Sequence, residues 1–202
     1  MTAAGDAGDA SAYAAAVLPL LHDASRPYVD WLFGGAAAAA EWLAAALRRP
    51  SSEVAFERTT LLLRDGDVDG MFVALAGDDL ARCRKADSLA LLMQTGGAER
   101  SRIHDRLAAA RTLFAPVGAD EWYLSKLAVA PASRGGGVGG RLCDAYVAAG
   151  AERGFDRFRL DVDAANDAAV RLYEARGFRV TYRGTTGDGD LHYVGMTLEE
   201  RT

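Results

Sequence analysis

The segment from Leu127 to Gly140 constrains the fold of this chain more than any other. An apolar stretch, Leu127 to Val129, leads into a run in which five of the six residues from Gly135 to Gly140 are glycine, and an amphipathic stretch follows from Val138. Glycine permits left-handed backbone and close approach of a ligand. Free N–H groups at the start of a helix attract anions. The pattern therefore predicts a strand, a phosphate-binding turn and a helix.

Two common phosphate-binding designs fit this segment poorly. A P-loop closes its glycine run with a lysine and a hydroxyl residue, and Val138 to Leu142 contains neither. The glycines do match G-x-G-x-x-G of dinucleotide-binding turns, with Asp161 and Asp163 about 20 residues on. That turn should follow its strand at once, whereas residues 130–134 intervene here, and the remaining chain is too short for a doubly wound sheet. A nicotinamide-dependent oxidoreductase is therefore disfavoured.

A third design fits better. Arg134 to Gly139 matches the R/Q-x-x-G-x-G/A signature of the GNAT (Gcn5-related N-acetyltransferase) family, and Leu127 to Pro131 resembles its strand end and proline. Downstream, Asn166 to Phe178 is similar to the family's N-x-x-A-x-x-L-Y-E-x-x-G-F element. The resemblance is sharpest over residues 121–180. It implies an α/β fold in which a mixed, twisted central sheet carries helices on both faces and has splayed central strands.

The resemblance also implies a site for acetyl-CoA between those splayed strands. The backbone of Leu127 and Val129 would meet the thioester and pantetheine amides, and the Leu127 N–H would serve as the oxyanion donor. The turn at residues 135–139 would hold the pyrophosphate, and Arg134 would add a charge-assisted contact. The residues expected to bind acetyl-CoA are Leu127, Ala128, Val129, Arg134, Gly135, Gly136, Gly137, Val138, Gly139, Asn166 and Tyr173.

Tyr173 is the side chain expected to act in catalysis. Asn166 and Tyr173 are seven residues apart, so both project from one face of a helix. A phenol near the sulfur can protonate the departing thiolate of coenzyme A, whereas the alternative is an aromatic packed beside Phe178. Asn166 either bonds the pantetheine arm or caps its own helix.

The general base is harder to assign. Related enzymes often carry Glu or His on the central strand at the positions of Tyr123 and Ser125, and neither residue here is a good base. Glu121 shares their side of the strand, since residues i, i+2 and i+4 lie on one face, and is the candidate. His104 and His192 are weaker candidates. A water chain with no dedicated base is the remaining alternative.

The chain reads as one domain. Its 202 residues with 50% hydrophobic content can bury a full core. Residues 1–11 are expected to be a disordered tail and residues 12–202 a single acyltransferase domain, with 12–21 either a short helix or a first strand. The insertion at 79–114 either shapes the acceptor pocket or serves packing or a homodimer contact.

The sequence pattern also predicts the secondary structure. The predicted helices span residues 26–33, 36–49, 79–93, 98–113, 138–153 and 166–176. The predicted strands span residues 59–64, 68–76, 122–129, 157–162, 178–183 and 191–198.

Composition and charge limit the ligands and the cellular compartment expected for the protein. A net charge of -5 argues against nucleic-acid binding and favours a cationic amine. The sequence contains no apolar run long enough to predict a membrane span, and its N-terminus lacks the basic region of a secretion leader. A cytoplasmic location is therefore expected. Cys83 and Cys143 lack metal or disulfide spacing and are expected to be buried thiols. Two lysines among many arginines and alanines suggest a GC-rich bacterial genome.

The sequence thus predicts an acetyl-CoA-dependent N-acetyltransferase. The acetyl group would pass directly to a primary amine of a small molecule or peptide, without a metal or a covalent enzyme intermediate. The alternative is a catalytically silent module that binds acyl-CoA. The acceptor and the length of the acyl chain are left open.

Overall fold

The computed structural model describes residues 2–3 and 10–199, and it confirms the predicted mixed α/β sheet with helices on both faces. The strands are β1 (Thr2–Ala3), β2 (Thr59–Arg64), β3 (Asp67–Ala76), β4 (Glu121–Val129), β5 (Arg157–Asp163), β6 (Arg179–Thr185) and β7 (His192–Glu199). The helices are α1 (Ala10–Ser25), α2 (Tyr28–Phe33), α3 (Ala36–Leu47), α4 (Gly77–Gln94), α5 (Gly97–Ala109), α6 (Val138–Ala151) and α7 (Asp167–Glu174).

The strands lie in the order β1-β2-β3-β4-β5-β7-β6. Strands β4 and β5 run parallel, and the other described neighbours are antiparallel. Helix α6 connects β4 to β5, as a parallel pair requires a crossover. The predicted elements are therefore present, with ends displaced by a few residues.

Two hydrophobic cores lie on opposite faces of the sheet. On one face, Val17 and Leu21 of α1 pack with Leu43 of α3 against Met71 and Val73 of β3. A fully buried aliphatic side chain of this kind stabilises the fold by about 1.5 to 3 kcal/mol.

The second core lies under α6. Leu142 and Tyr146 pack on Phe158 and Leu160 of β5. The buried Tyr146 hydroxyl donates to the carbonyl of Trp122 on β4 and accepts from the N–H of Arg159 on β5, at 3.2 Å. One phenol thus joins both central strands where they are paired.

Local sequence explains the hairpin before the insertion. Asp65 and Gly66 both have positive φ, 54° and 90°, which suits a two-residue turn matching the right-handed twist of the strands. The predicted hairpin is confirmed.

The predictions for the N-terminal residues are tested only in part. The alternatives for residues 12–21 resolve in favour of a helix, α1, whose Val17, Leu20 and Leu21 are buried. The disordered tail predicted for residues 1–11 falls largely outside the described residues. Within that span the structure assigns Thr2–Ala3 to β1, paired with β2, and begins α1 at Ala10. No helix in the described part is long and apolar enough to cross a membrane.

Candidate active site

A wedge-shaped cleft opens between the two central strands. Strands β4 and β5 pair only from Glu121 with Arg157 to Leu124 with Leu160. Beyond that point β4 pairs with β3 alone, and β5 with β7 alone. The structure therefore contains the predicted splay.

The register of β3 and β4 fixes which backbone groups face this cleft. The Ala130 N–H donates to the Asp69 carbonyl at 2.8 Å, so these opposite residues form a hydrogen-bonded pair. In an antiparallel ladder such pairs alternate with pairs whose polar groups point away from the partner strand. Leu127, opposite Phe72, and Val129, opposite Gly70, occupy the alternate positions. Their N–H and carbonyl groups therefore point into the cleft, where β5 no longer pairs with them.

The glycine turn at the cleft's end owes its shape to two residues. Gly135 and Gly137 have φ of 78° and 74°, a left-handed conformation that side chains disfavour. Gly137 is the N-cap of α6, with no side-chain cap. The first N–H groups of α6 lack intrahelical partners and present a positive dipole end to an anion.

The later glycines of the run serve packing. A Cβ on Gly139 would lie 2.9 Å from Leu172 Cδ1, and one on Gly140 would overlap the guanidinium of Arg176. Their small size lets α7 approach α6. The last glycine of the G-x-G-x-x-G spacing, Gly140, thus provides room for the Arg176 guanidinium, whose Nε donates to the Gly140 carbonyl at 3.2 Å.

Arg134 bridges the mouth of the cleft. Its Nε donates to the Val129 carbonyl at 3.3 Å and its Nη2 lies 2.9 Å from Asp23 Oδ2 on α1. The side chain is 58% exposed. It is thus beside the glycine turn, as predicted, and already paired with a carboxylate.

Helix α7 places two predicted residues on the cleft wall. Asn166 Oδ1 accepts from the Ala169 N–H at 3.1 Å, so the helix-cap alternative is the one present. Tyr173 is buried, with its ring edge-on to Phe178 at 5.9 Å. Burial raises the pKa of the Tyr173 hydroxyl, with a smaller contribution from Cys143. The phenol is therefore protonated across the neutral range, as a proton donor must be.

The cleft, about 630 Å³ in volume, brings most predicted cofactor residues together. Gly136 is not on its wall and Glu121 does not reach it. The predicted residues that line it are Leu127, Ala128, Val129, Arg134, Gly135, Gly137, Val138, Gly139, Asn166 and Tyr173.

A second cavity of about 320 Å³ meets the cleft on the α1 side of the sheet. The insertion contributes Arg84 and Asp87 of α4, and β7 contributes Tyr193. This favours the pocket-shaping alternative for residues 79–114. The two spaces share five wall residues, which are Ala24, Ser125, Lys126, Asp161 and Tyr193.

A β-bulge sets which β4 side chains enter the second cavity. The register with β3 shifts between Val73, opposite Lys126, and Ala74, opposite Leu124, so Ser125 is the extra residue. Bulges re-aim side chains and are frequent beside active sites. As a result the consecutive residues Ser125 and Lys126 both line the cavity.

A chain of hydrogen bonds runs along the wall of the second cavity. Ser125 Oγ donates to Glu53, and Arg84 Nε donates to Glu53 Oε2 at 3.1 Å. Arg84 Nη2 in turn lies 3.3 Å from the Tyr123 hydroxyl. That hydroxyl donates to Asp161 Oδ2 at 3.0 Å. Two carboxylates that contact β4 thus come from other elements.

The two carboxylates differ in their ionisation. Burial alone would raise the pKa of Glu53, but the charges of Arg84 and Lys126 and the bonds from Ser125 and Arg84 lower it to about 2. Burial raises the pKa of Asp161 despite the opposing effects of Arg159 and Tyr123. Asp161 Oδ1 has no hydrogen-bond partner among the described residues, and its nearest cation is Arg159 Nη2 at 3.7 Å. Glu53 is therefore a fixed anion, whereas Asp161 is suited to accept a proton.

The structure separates Glu121 from the site. Its side chain is buried at the start of β4, where one oxygen accepts from the Gly118 N–H at 2.6 Å and the other lies 3.6 Å from Arg157. Glu121 lies on neither cavity wall, so its predicted role as base does not fit. His104 is exposed on α5 and His192 bonds Thr185. Neither histidine lines either cavity.

Sequence reasoning missed four residues of this site. Glu53 lies in a loop without periodicity, so no pattern marks it. Lys126 enters through the bulge, which the strand pattern does not reveal. Arg84 is one of many charged residues on its helix. Asp161 did carry a signal, because it alternates with the apolar Leu160 and Val162 on β5 and so faces away from the core under α6.

The splayed strands, the glycine turn and the adjoining cavity define an acyltransferase. Residues 36–178 match the model of the Acetyltransferase (GNAT) family, more than half of the chain. The chain belongs to that family, whose members use acetyl-CoA as acyl donor.

Solved structures with the same fold agree. An acetyltransferase is 24% identical, with 98% of each chain covered and a TM-score of 0.63. An N-acetyltransferase from Staphylococcus aureus Mu50 is 16% identical, with 98% of this chain and 100% of the other covered and a TM-score of 0.65. A Drosophila melanogaster polyamine N-acetyltransferase that forms N-acetylagmatine is 17% identical, with coverage of 96% and 97% and a TM-score of 0.61. No curated protein matches the sequence.

Proposed function

We propose that this protein transfers an acetyl group from acetyl-CoA directly to a primary amine in a ternary complex. The observation that carries the proposal is the shared wall of the cleft and the second cavity, at the point where β4 and β5 separate. A thioester lying in the cleft would there meet an acceptor lying in the cavity. Direct transfer needs such a meeting point.

Acetyl-CoA binding is assigned to the backbone of β4 and the start of α6. The pyrophosphate would lie on the N–H groups of residues 135–139, and the pantetheine arm would extend β4 through the outward N–H and carbonyl groups of Leu127 and Val129. Arg134 would exchange Asp23 for a phosphate oxygen. The Asn166 side chain caps α7 and lines the cleft in which that arm would lie.

The Leu127 N–H is proposed as the oxyanion donor. It points into the cleft and is fixed by the β3 register before the reaction begins. Preorganised donors of this kind lower the barrier by about 3 to 4 kcal/mol.

Asp161 is proposed as the base in place of Glu121. It borders both spaces, and its Oδ1 accepts no hydrogen bond from the described residues, although Arg159 Nη2 lies 3.7 Å away. A carboxylate with a raised pKa accepts the amine proton more readily than an ordinary one. The amine nitrogen attacks the thioester carbon, the C–S bond breaks, and the Tyr173 phenol would protonate the departing thiolate.

The second cavity favours a small amine. A volume of about 320 Å³ lies at the lower end for small-molecule sites. Tyr28, Trp42 and Phe114 contribute aromatic wall, which suits a cation or an apolar chain. A peptide could enter only by its terminal residue.

The test is thiol release from acetyl-CoA with a panel of primary amines, paired with calorimetry of acetyl-CoA alone. We expect binding, and thiol release that depends on the amine and yields its acetamide by mass spectrometry. Binding without release for any amine would instead support the silent acyl-CoA-binding module. Absence of binding would overturn both.

A further inference from the structure

Lys126 lies where the donor and acceptor spaces join. The bulge at Ser125 turns the Lys126 side chain into the second cavity, and Lys126 also lines the cleft. The next residue along the strand is Leu127, whose N–H faces the cleft. A primary amine of the protein itself therefore lies beside the position proposed for the acetyl group.

The Lys126 amine is hydrogen-bonded to Ser125 and forms only a long ion pair with Glu53. Its Nζ donates to the carbonyl and the hydroxyl of Ser125, both at 3.1 Å, while Glu53 Oε1 is 3.8 Å away. Glu53 is instead bonded directly by Arg84 and Ser125. Burial lowers the pKa of Lys126, partly offset by Glu53, and Arg84 lowers it further. A larger share of this amine is thus neutral, and nucleophilic, than for an exposed lysine.

We propose that Lys126 is an internal acetyl acceptor, modified by bound acetyl-CoA when no external amine fills the cavity. The inference rests on the proposed function, because it requires acetyl-CoA in the cleft. The Lys126 nitrogen attacks the thioester carbon, an amide C–N bond forms and the C–S bond breaks. The proton lost by the amine goes to Asp161 or water, and the thiolate is protonated to the thiol of coenzyme A. No oxidant or reductant takes part.

The modification would close the acceptor site. Acetylation removes the positive charge near Glu53 and adds an acetyl group at the junction of the two spaces. An amine in the cavity would compete for the same acetyl group. The acetylated fraction of Lys126 would thus increase with the time that the enzyme holds acetyl-CoA without an acceptor.

The sequence makes the test unusually clean, because the chain has only two lysines, Lys85 and Lys126. Lys85 is exposed on α4 and lies on neither cavity wall, so it reports acetylation by acetyl-CoA in bulk solution. Trypsin should normally cut after Lys126, and acetylation should join residues 112–126 and 127–134 into one peptide. Full-length protein is incubated with acetyl-CoA, and both lysines are followed by peptide mass spectrometry.

We expect acetylation of Lys126 to exceed that of Lys85 by at least roughly tenfold, as held reactants outpace free ones. Its rate should be independent of protein concentration and should fall when a substrate amine is added. Lys126→Arg should abolish the modification of the folded protein, whereas Lys85→Arg should leave it unchanged.

Faster acetylation of Lys85 than of Lys126 would overturn the inference, as would an unmodified Lys126 in protein that calorimetry shows to bind acetyl-CoA. Thiol release with external amines is measured in parallel. Transfer to an external amine with Lys126 unmodified would reject this inference alone, and loss of acetyl-CoA binding would reject the proposed function as well.

Discussion

The phenolic hydroxyl of Tyr123 on β4 donates a 3.0 Å hydrogen bond to Oδ2 of Asp161 on β5. Tyr123 occupies a β4 position at which related enzymes often carry the base. Here the strand supplies a phenol, and the neighbouring strand supplies the carboxylate at hydrogen-bond distance. The second such position, Ser125, likewise contacts Glu53 from a loop. The proposed base therefore lies on β5, within hydrogen-bond distance of the β4 position at which a base was expected.

Asp161→Asn should lower kcat/KM by about 10²- to 10⁴-fold, the range for loss of a positioned base. The amide oxygen still accepts the Tyr123 bond but cannot take the amine proton. In the wild type, activity should fall as pH drops through the raised pKa of Asp161. The variant should lose that limb in a pH profile of kcat/KM.

Glu121→Gln is the matched control, because Glu121 lies on neither cavity wall. It should keep the acidic limb. If the limb survives in Asp161→Asn and shifts with the pKa of the amine used, the substrate loses its proton to water and Asp161 is not the base.

The same substitution should stabilise the fold at neutral pH. The folded state raises the pKa of Asp161, so it binds the proton more tightly than the unfolded chain does, and the wild type loses stability as pH rises through this range. Asparagine removes that penalty. Urea denaturation should show a larger free energy of unfolding for the variant at pH 7 and a smaller difference at low pH. Equal stability at pH 7 would mean that the carboxylate carries no such cost.

Gly137→Val should abolish acetyl-CoA binding in calorimetry. A β-branched residue is strained at φ of 74°, and relief of that strain would move the first turn of α6. Gly154→Val is the control, because Gly154 has φ of 85° and, like Gly137, no atom within 4 Å of an added Cβ. Both variants should lose similar stability, and only the first should lose affinity. Wild-type affinity in Gly137→Val would remove the glycine turn from the cofactor site.

The sequence was sufficient to predict the fold and most of the residues that line the cleft. The glycine turn, the alternating strands and the Asn166 to Phe178 element are local patterns, and each specifies its own backbone. The acceptor site depends on contacts across long separations, such as Tyr123 with Asp161, 38 residues apart. It also depends on the bulge at Ser125, which brings two consecutive residues into one cavity. Strand alternation alone therefore predicted Glu121 as the base, although this residue lies two positions before Tyr123 and lines neither the cleft nor the second cavity.

Tyr173→Phe should lower the rate of acetyl transfer by about 10²- to 10⁴-fold while leaving acetyl-CoA affinity near that of the wild type. Phenylalanine keeps the edge-on contact with Phe178. The thermal midpoint should change little, because no described protein group is hydrogen-bonded to the hydroxyl. Single-turnover kinetics with a substrate amine provide the measurement. A rate within twofold of the wild type would leave Tyr173 as a packing residue.

Glu53→Gln should destabilise the protein strongly at neutral pH, because it removes the largely buried anion that pairs with Arg84 and Lys126, whose side chains are 40% and 19% exposed. The folded state lowers the pKa of Glu53 from 4.5 to about 2. This shift corresponds to about 3 kcal/mol that is present above the unfolded value and is lost as pH falls between them. Denaturation at pH 7 and near pH 3 should show the gap between wild type and variant closing in acid. Glu57→Gln, on an exposed residue of the short 3-10 helix that follows the loop, should show no such gap. If the difference in unfolding free energy between wild type and Glu53→Gln does not change with pH, packing and not charge accounts for the contribution of Glu53.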